Sequence, residues 1–328
     1  MLVGPDGRPL RADRPAQPEG GGSKERAKAD VFGSAFRDFL NEGSAEDMEY
    51  DVVTLDYHES EATPIDYFFR SIDEMPYIER QALELCRGRV LDVGCGAGSH
   101  SLYLQEERQL DVTGIDISPG AIQVAKQRGL ERAFSGDFLA FKPGGSSDVG
   151  KDGKVFWDSK THKKYETILF MMNGAGMAGN AEGLDRLLQR ARALLAPGGQ
   201  ILIDSTDIQY MYTSEDGSQF EFDFDPKEHY YGETLISVRY KGMQETFPWL
   251  FIDFEALRIA AQRNGLEAIF VADEAISEED RGVTYLAKLI PIEGTNPLAD
   301  QLRDAQVLSS EEAQNKIEKT PILGEDDN

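Results

Sequence analysis

The sequence predicts an α/β fold: a mainly parallel sheet flanked by helices, with an antiparallel last strand and a small β-rich cap insertion. Three observations carry this. From Val90 to Asp204, short apolar runs alternate with amphipathic stretches, the pattern of parallel strands joined by crossover helices. The first run, Val90-Leu91-Asp92-Val93, enters a turn with glycine at alternate positions, Gly94, Gly96 and Gly98. Asp116, Asp137, Asn173 and Asp204 then stand at the ends of the later runs, and open α/β sheets bind ligands at the carboxyl ends of their strands.

In chain order, residues 1–30 are rich in Pro, Gly, Arg and Ala without the apolar core of a signal peptide, and read as a disordered leader. Residues 31–88 read as an N-terminal helical arm. Val31, Phe32, Phe36, Phe39 and Leu40 start it, an acidic patch follows, and Ile65 to Leu83 recur at spacings of three and four with a break at Pro76. Val90–Val93 has the β-branched character of a strand buried on both faces, and Ser99–Gln105 starts a helix whose free N–H groups favour an anionic group. Val112 to Asp116 is the second strand. Ser118-Pro119 supplies an N-cap and a first-turn proline for a helix over 120–128.

Asp116 falls about 20 residues beyond the glycine turn, where nucleotide-binding α/β folds place a carboxylate for ribose hydroxyls. Ser118 already fills the cap role, which frees Asp116 for a ligand. A short third strand, Ala133–Ser135, leads to Gly136-Asp137-Phe138, and residues 142–164 form a polar insertion read as a surface hairpin. The fourth strand is 165–172, followed by Asn173-Gly174-Ala175-Gly176. A helix over 182–195 precedes Pro197-Gly198-Gly199 and a fifth strand over 200–203. Residues 205–241 form the cap, with alternating strands at 220–225 and 233–240. A helix over 254–263 and strands over 267–272 and 283–289 close the fold, and 292–328 is an acidic, mobile tail with one helix around 310–319.

The turn Gly94-x-Gly96-x-Gly98 departs from the Gly-x-Gly-x-x-Gly of dinucleotide sites, placing Ser99 at the third glycine, and no Gly-Lys-Ser/Thr of a P-loop follows. With Asp92 ahead of it, Gly136-Asp137 after the third strand and Leu194-Leu195-Ala196-Pro197-Gly198-Gly199 before the fifth, the chain resembles the class I S-adenosylmethionine (SAM)-dependent methyltransferases over roughly residues 65–290. The resemblance implies a Rossmann-like methyltransferase domain over 31–291 that binds SAM. It implies a cofactor site made of Asp92, Gly94, Cys95, Gly96, Gly98, Asp116, Ile117, Asp137, Phe138 and Asn173. Asp137 would take the adenine amino group and Phe138 would stack on the ring. In related enzymes the helix before the first strand closes over the cofactor, which makes Tyr67 and Arg70 candidates for its amino-acid end, against a solvated arginine and a core tyrosine.

With 59 acidic against 34 basic residues the net charge is −25, and a field of that sign disfavours nucleic acid, whose binders place Lys and Arg on phosphates. No run reaches the roughly 20 apolar residues of a membrane span. Cys86 and Cys95, the two cysteines, suit reduced thiols in the cytoplasm. His58, His100 and His162 lack metal-ligand spacing, so no metal is expected. The fourth strand ends in Met171-Met172-Asn173-Gly174 rather than the Asn-Pro-Pro-Tyr type of motif that the resemblance implies for enzymes methylating amino groups of DNA and protein amides. A Pro-Cys pair for cytosine C5 is also absent. A small-molecule acceptor is therefore favoured, a protein side chain stands second, and His229, Tyr230 and Tyr231 are the acceptor-facing candidates. No catalytic residue or oligomeric state is assigned. A catalytically silent SAM-binding protein and an enzyme using another adenosine cofactor remain open. If the acidic surface is an adaptation to salt, resistance to unfolding rises along a potassium chloride series as self-repulsion is screened; a flat series refutes this.

Overall fold

The computed structural model describes residues 30–44, 46–53, 58–139, 164–212, 230–275 and 283–294. The first element among the described residues is α1 (Val31–Glu42), capped by Asp30 at one end and by left-handed Gly43 at the other. Two strands follow, β1 (Met48–Val53) and β2 (His58–Thr63), then two 3-10 turns at Ile65–Phe69 and Ile72–Glu74. Next come α2 (Tyr77–Leu85), β3 (Arg89–Val93), α3 (Ser99–Glu106), β4 (Asp111–Asp116), α4 (Pro119–Gln127) and β5 (Ala133–Ser135). The second half runs β6 (Tyr165–Phe170), a 3-10 turn at Gly174–Ala178, α5 (Ala181–Leu194), β7 (Leu195–Asp207) and a last 3-10 turn at Gln209–Tyr212. It closes with β8 (Glu233–Tyr240), β9 (Met243–Leu250), α6 (Phe254–Arg263), β10 (Leu266–Ala275) and β11 (Val283–Pro291).

Seven strands form one sheet in the order β10-β11-β7-β6-β3-β4-β5. The pairs from β7 to β5 are parallel, and β11 runs antiparallel to both β7 and β10. Successive strand residues feed opposite faces: Leu91, Ile168, Ile201 and Ile203 pack under α5 and α6, while Val90, Leu169 and Leu202 pack toward α2, α3 and α4. Burial on both faces explains why these strands read as continuous apolar runs. The topology sends the glycine turn, Asp116, Asn173 and Asp204 to one edge.

The N-terminal arm is only partly helical, a departure from the sequence expectation. β1 and β2 join β8 and β9 in a second sheet of order β2-β1-β8-β9, and the four-stranded unit packs with α1 around Phe36, Met48, Ile236, Val238 and Tyr240. The acidic patch becomes a strand because its charges find a partner far along the chain: Arg239 donates to Glu49 and to both oxygens of buried Asp51. β9 is a further strand that the sequence reading lacked. Lys241 and Gly242 both have positive φ, +46° and +77°, the two-residue hairpin geometry that Asn-Gly usually signals. Residues 142–163 of the insertion expected at 142–164, the strand at 220–225, residues 1–29 of the leader expected at 1–30, and the tail helix lie outside the described residues.

β9 comes close to the turn that follows β6. A Cβ added to Gly176, in the turn after β6, would fall inside the Trp249 ring of β9. Gly176→Ala is expected to cost about 1–3 kcal/mol by overpacking, with Trp249→Leu in the same chain recovering part of it. Chemical denaturation of the three chains checks this.

Candidate functional site

The site is built on the turn that joins β3 to α3. Gly94, Gly96 and Gly98 have φ of +76°, +52° and +89°, a left-handed path that side chains rarely follow. β4 fastens it: Gly94 and Cys95 donate their N–H groups to Ile115 O at 2.8 and 3.1 Å, and Gly96 donates to Asp116 Oδ2 at 2.9 Å. Asp116 Oδ1 accepts from the Ser118 N–H at 2.8 Å, so the carboxylate sits between the turn and the start of α4. Burial pushes its carboxyl up to about 6, against the pull of those two N–H groups. A Cβ on Gly96 would meet nothing nearer than Phe36 Cε2 at 3.7 Å, so the turn is open at its centre.

The other sequence candidates divide into two groups. Ile117 is 65% exposed beside Asp116. Gly136 donates to Asp116 O at 2.9 Å, which brings exposed Asp137 next to it, and Asp137 itself accepts from Leu139 N. Met177, on the turn after β6, reaches over the glycine turn, its Sδ 3.1 Å from where a Gly94 Cβ would stand. Asn173, left-handed at φ +57°, accepts from Thr206 Oγ1 at 2.7 Å, and Gly174 donates to Asp204 Oδ1 at 3.0 Å. Burial pushes the Asp204 carboxyl up to about 7.

Asp92 and Cys95 face inward instead. Asp92 is buried and accepts from Ser101 Oγ at 2.6 Å, pinning the first turn of α3 from beneath. Cys95 Sγ lies 2.8 Å from where a Gly114 Cβ would stand, and burial drives its thiol well above the ordinary range. Phe138 requires a correction. The residue is 6% exposed, edge-on to Phe170 at 5.5 Å, with the Arg190 guanidinium 4.8 Å from its ring centroid, so it packs in the core.

Arg70 is also not the solvated side chain of the blander reading. It lies at 11% exposure, donates to Glu79 at 2.9 and 3.1 Å and stacks on Tyr67, its Cζ 3.7 Å from the ring centroid. Glu79 Oε2 also bonds His100 Nε2 at 2.6 Å. Burial opposes both charges in that pair, yet the mutual bond raises the His100 pKa and, with Arg70, lowers that of Glu79. Arg70 Nε is buried without a partner among the described residues. Glu79 and His100 escaped the sequence reading because nothing in their spacing marks them; only the fold joins α2 to α3.

Tyr230 donates to Asp253, the N-cap of α6, at 2.6 Å and Tyr231 to Asp207, at the end of β7, at 2.8 Å, while His229 lies outside the described residues. Among the described residues no group of three or more His, Cys, Asp or Glu is placed to hold a metal, and no helix is long and apolar enough to cross a membrane.

A family model described as a methyltransferase domain matches residues 67–269. Among solved structures, a SAM-dependent methyltransferase from Bacteroides fragilis in complex with S-adenosyl-L-homocysteine is 32% identical with a TM-score of 0.65, covering 82% of this chain and 98% of that one. A release factor glutamine methyltransferase of Rhodospirillum rubrum is 33% identical over 133 residues, 37% of this chain and 41% of its own length. A ubiquinone biosynthesis O-methyltransferase of Pasteurella multocida is 41% identical over 64 residues, 20% of this chain and 26% of its own. The chain thus spans less than half the length of these two curated relatives.

Where Asp116 accepts hydroxyls as an ionised carboxylate, its pKa, pushed up to about 6, sets the pH above which that contact is complete. Affinity for S-adenosylhomocysteine is therefore expected to hold above that pH and to fall, by up to about tenfold per unit, below it. Asp116→Ala is expected to flatten the profile and weaken binding at pH 7 by about 1–3 kcal/mol. Calorimetric titration between pH 5 and 7 checks both.

Proposed function

The chain belongs to the methyltransferase domain family, and on that premise we propose that it transfers a methyl group from SAM to a small-molecule acceptor. The observation that carries this is the open, left-handed glycine turn held against a half-buried Asp116 whose carboxylate has lone pairs to spare. When bound, SAM supplies an electrophilic methyl group on a sulfonium sulfur. The residues present fit such a group. The turn leaves a cradle at Gly96, and the unpartnered Arg70 Nε offers a buried cationic donor of the kind a carboxylate satisfies.

In this reading Asp116 accepts from the ribose hydroxyls and Asp137 from the adenine amino group. Ile117 takes the ring-packing role expected of Phe138. The first turn of α3, begun at Gly98, and Arg70 hold the amino-acid carboxylate. Glu79 fixes Arg70 by two bonds and so keeps its Nε in place. Met177 and the Asn173–Gly176 turn border the acceptor side, where aligning nucleophile and methyl group is the main catalytic task. A base is required only for a protonated acceptor. Two free, buried cysteines, Cys86 and Cys95, support the reducing cytoplasm as its place.

The net charge of −25 supports a small acceptor over nucleic acid. A protein amide is the second reading, favoured by the glutamine methyltransferase relative and opposed by Met171-Met172-Asn173-Gly174 in place of an Asn-Pro-Pro-Tyr type of motif.

Parallel calorimetry with SAM, S-adenosylhomocysteine and NAD is expected to give micromolar binding of the first two and none of the third; NAD alone binding overturns the reading. Arg70→Lys is expected to weaken S-adenosylhomocysteine by about 1–2 kcal/mol and leave 5′-methylthioadenosine, which lacks the amino-acid end, unchanged. Tight SAM binding without methyl transfer to an acceptor panel favours a catalytically silent protein.

A further inference from the structure

We propose that Asp30 is a positioning residue of the cofactor site: from an arm outside the matched domain, its carboxylate holds Ser118 and the first turn of α4, and through Ser118 the Asp116 carboxylate. The proposal rests on the cofactor reading above and adds a residue that the family match, which begins at residue 67, does not include.

The geometry is specific. Asp30 Oδ1 accepts from Ser118 Oγ at 2.6 Å and from Gly33 N at 3.0 Å, while Oδ2 accepts from Gly120 N at 2.8 Å. One carboxylate thus caps two helices, α1 and α4. Ser118 is the hinge between two acids, since its hydroxyl binds Asp30 and its N–H binds Asp116 at 2.8 Å. The approach is as close as backbone allows: a Cβ on Gly120 would stand 2.7 Å from both Asp30 Oδ2 and Gly33 Cα. α1 then carries Phe36 over the Gly96 turn, so the same docking that fixes Ser118 also roofs the site.

A helix N-terminus favours negative charge, and α4 here serves two carboxylates. Fixing Asp116 before a ligand arrives removes the cost of orienting it at binding. The charges that face Asp116 are Asp30 from the arm and Asp92 from β3, both opposing its ionisation, and Arg37 of α1 lies 3.9 Å from Asp30 Oδ2. Asp30 therefore has two separable effects on Asp116: it holds Ser118 in place, and it raises the pH at which Asp116 ionises.

The test is calorimetric binding of S-adenosylhomocysteine to the full chain between pH 5 and 7.5. Asp30→Asn is expected to weaken binding roughly three- to tenfold at pH 7.5, the effect of a lost cap interaction, and to move the midpoint of the pH dependence to lower pH. Asp38→Asn is the control. Asp38 also anchors α1, but through Tyr240 and Lys241, away from Asp116, so this variant lowers the melting temperature without moving the midpoint. Should the Asn variant not fold, Asp30→Ser keeps a capping oxygen for α1 without the charge and gives the same readout. A variant curve with the wild-type midpoint overturns the proposal, whatever its affinity. Failure of the wild-type chain to bind sinks the cofactor reading, and this inference with it.

Discussion

The hydrogen bond from the Gly96 N–H to Asp116 Oδ2 is the constraint on which the carboxyl edge of the sheet depends. A carboxylate drawn partly out of water needs donors in its place, and here the donors come from the backbone of a turn and of a helix start. The turn must point its N–H groups at β4, so its glycines take left-handed conformations, and their missing side chains leave the space in which a ligand fits. Asp116 thus shapes the cradle as well as lining it.

The same device recurs along the edge. Asp92 ties down the start of α3, Asp116 the glycine turn, and Asp204 the turn after β6, each bonded to the segment that follows a strand, with Asp92 and Asp204 buried and Asp116 half-buried. The cost appears in the raised pKa values of Asp116 and Asp204, and the return is loop geometry fixed in the ligand-free protein. Arg70, Glu79 and His100 extend the scheme to the arm, with one acid shared by two bases behind the turn.

What the sequence discloses divides along the range of the interactions involved. The sheet strands from β3 to β7, the Ser118-Pro119 start of α4 and the acids at strand ends follow from local periodicity and caps, and all are legible from Val90 to Asp204. β1 is not, because the Arg239 that pairs with buried Asp51 lies 188 positions away, beyond any local pattern. Phe138 misled for a related reason: a residue beside a ligand position and a residue beneath it share the same sequence neighbourhood, and only the packing of Phe170 and Arg190 separates them. Lys241-Gly242 was missed as a hairpin because lysine seldom takes the positive φ it has there.

The pairing of β1 with β8 has a consequence for the order of assembly. Asp51 and Arg239 stand 188 positions apart, so the first strands acquire their partner only after the five strands β3 to β7 have been made. At ribosomal speeds of about 5–20 residues per second, that separation corresponds to roughly 10–40 seconds of synthesis. The nascent arm spends this interval with an unpaired strand edge, and its high density of Asp and Glu is a defence suited to that exposure. Closing so long a loop late also makes the β2-β1-β8-β9 unit a high-contact-order element, slow to form relative to the βαβ units it covers. The roof over the glycine turn is therefore completed after the floor it protects.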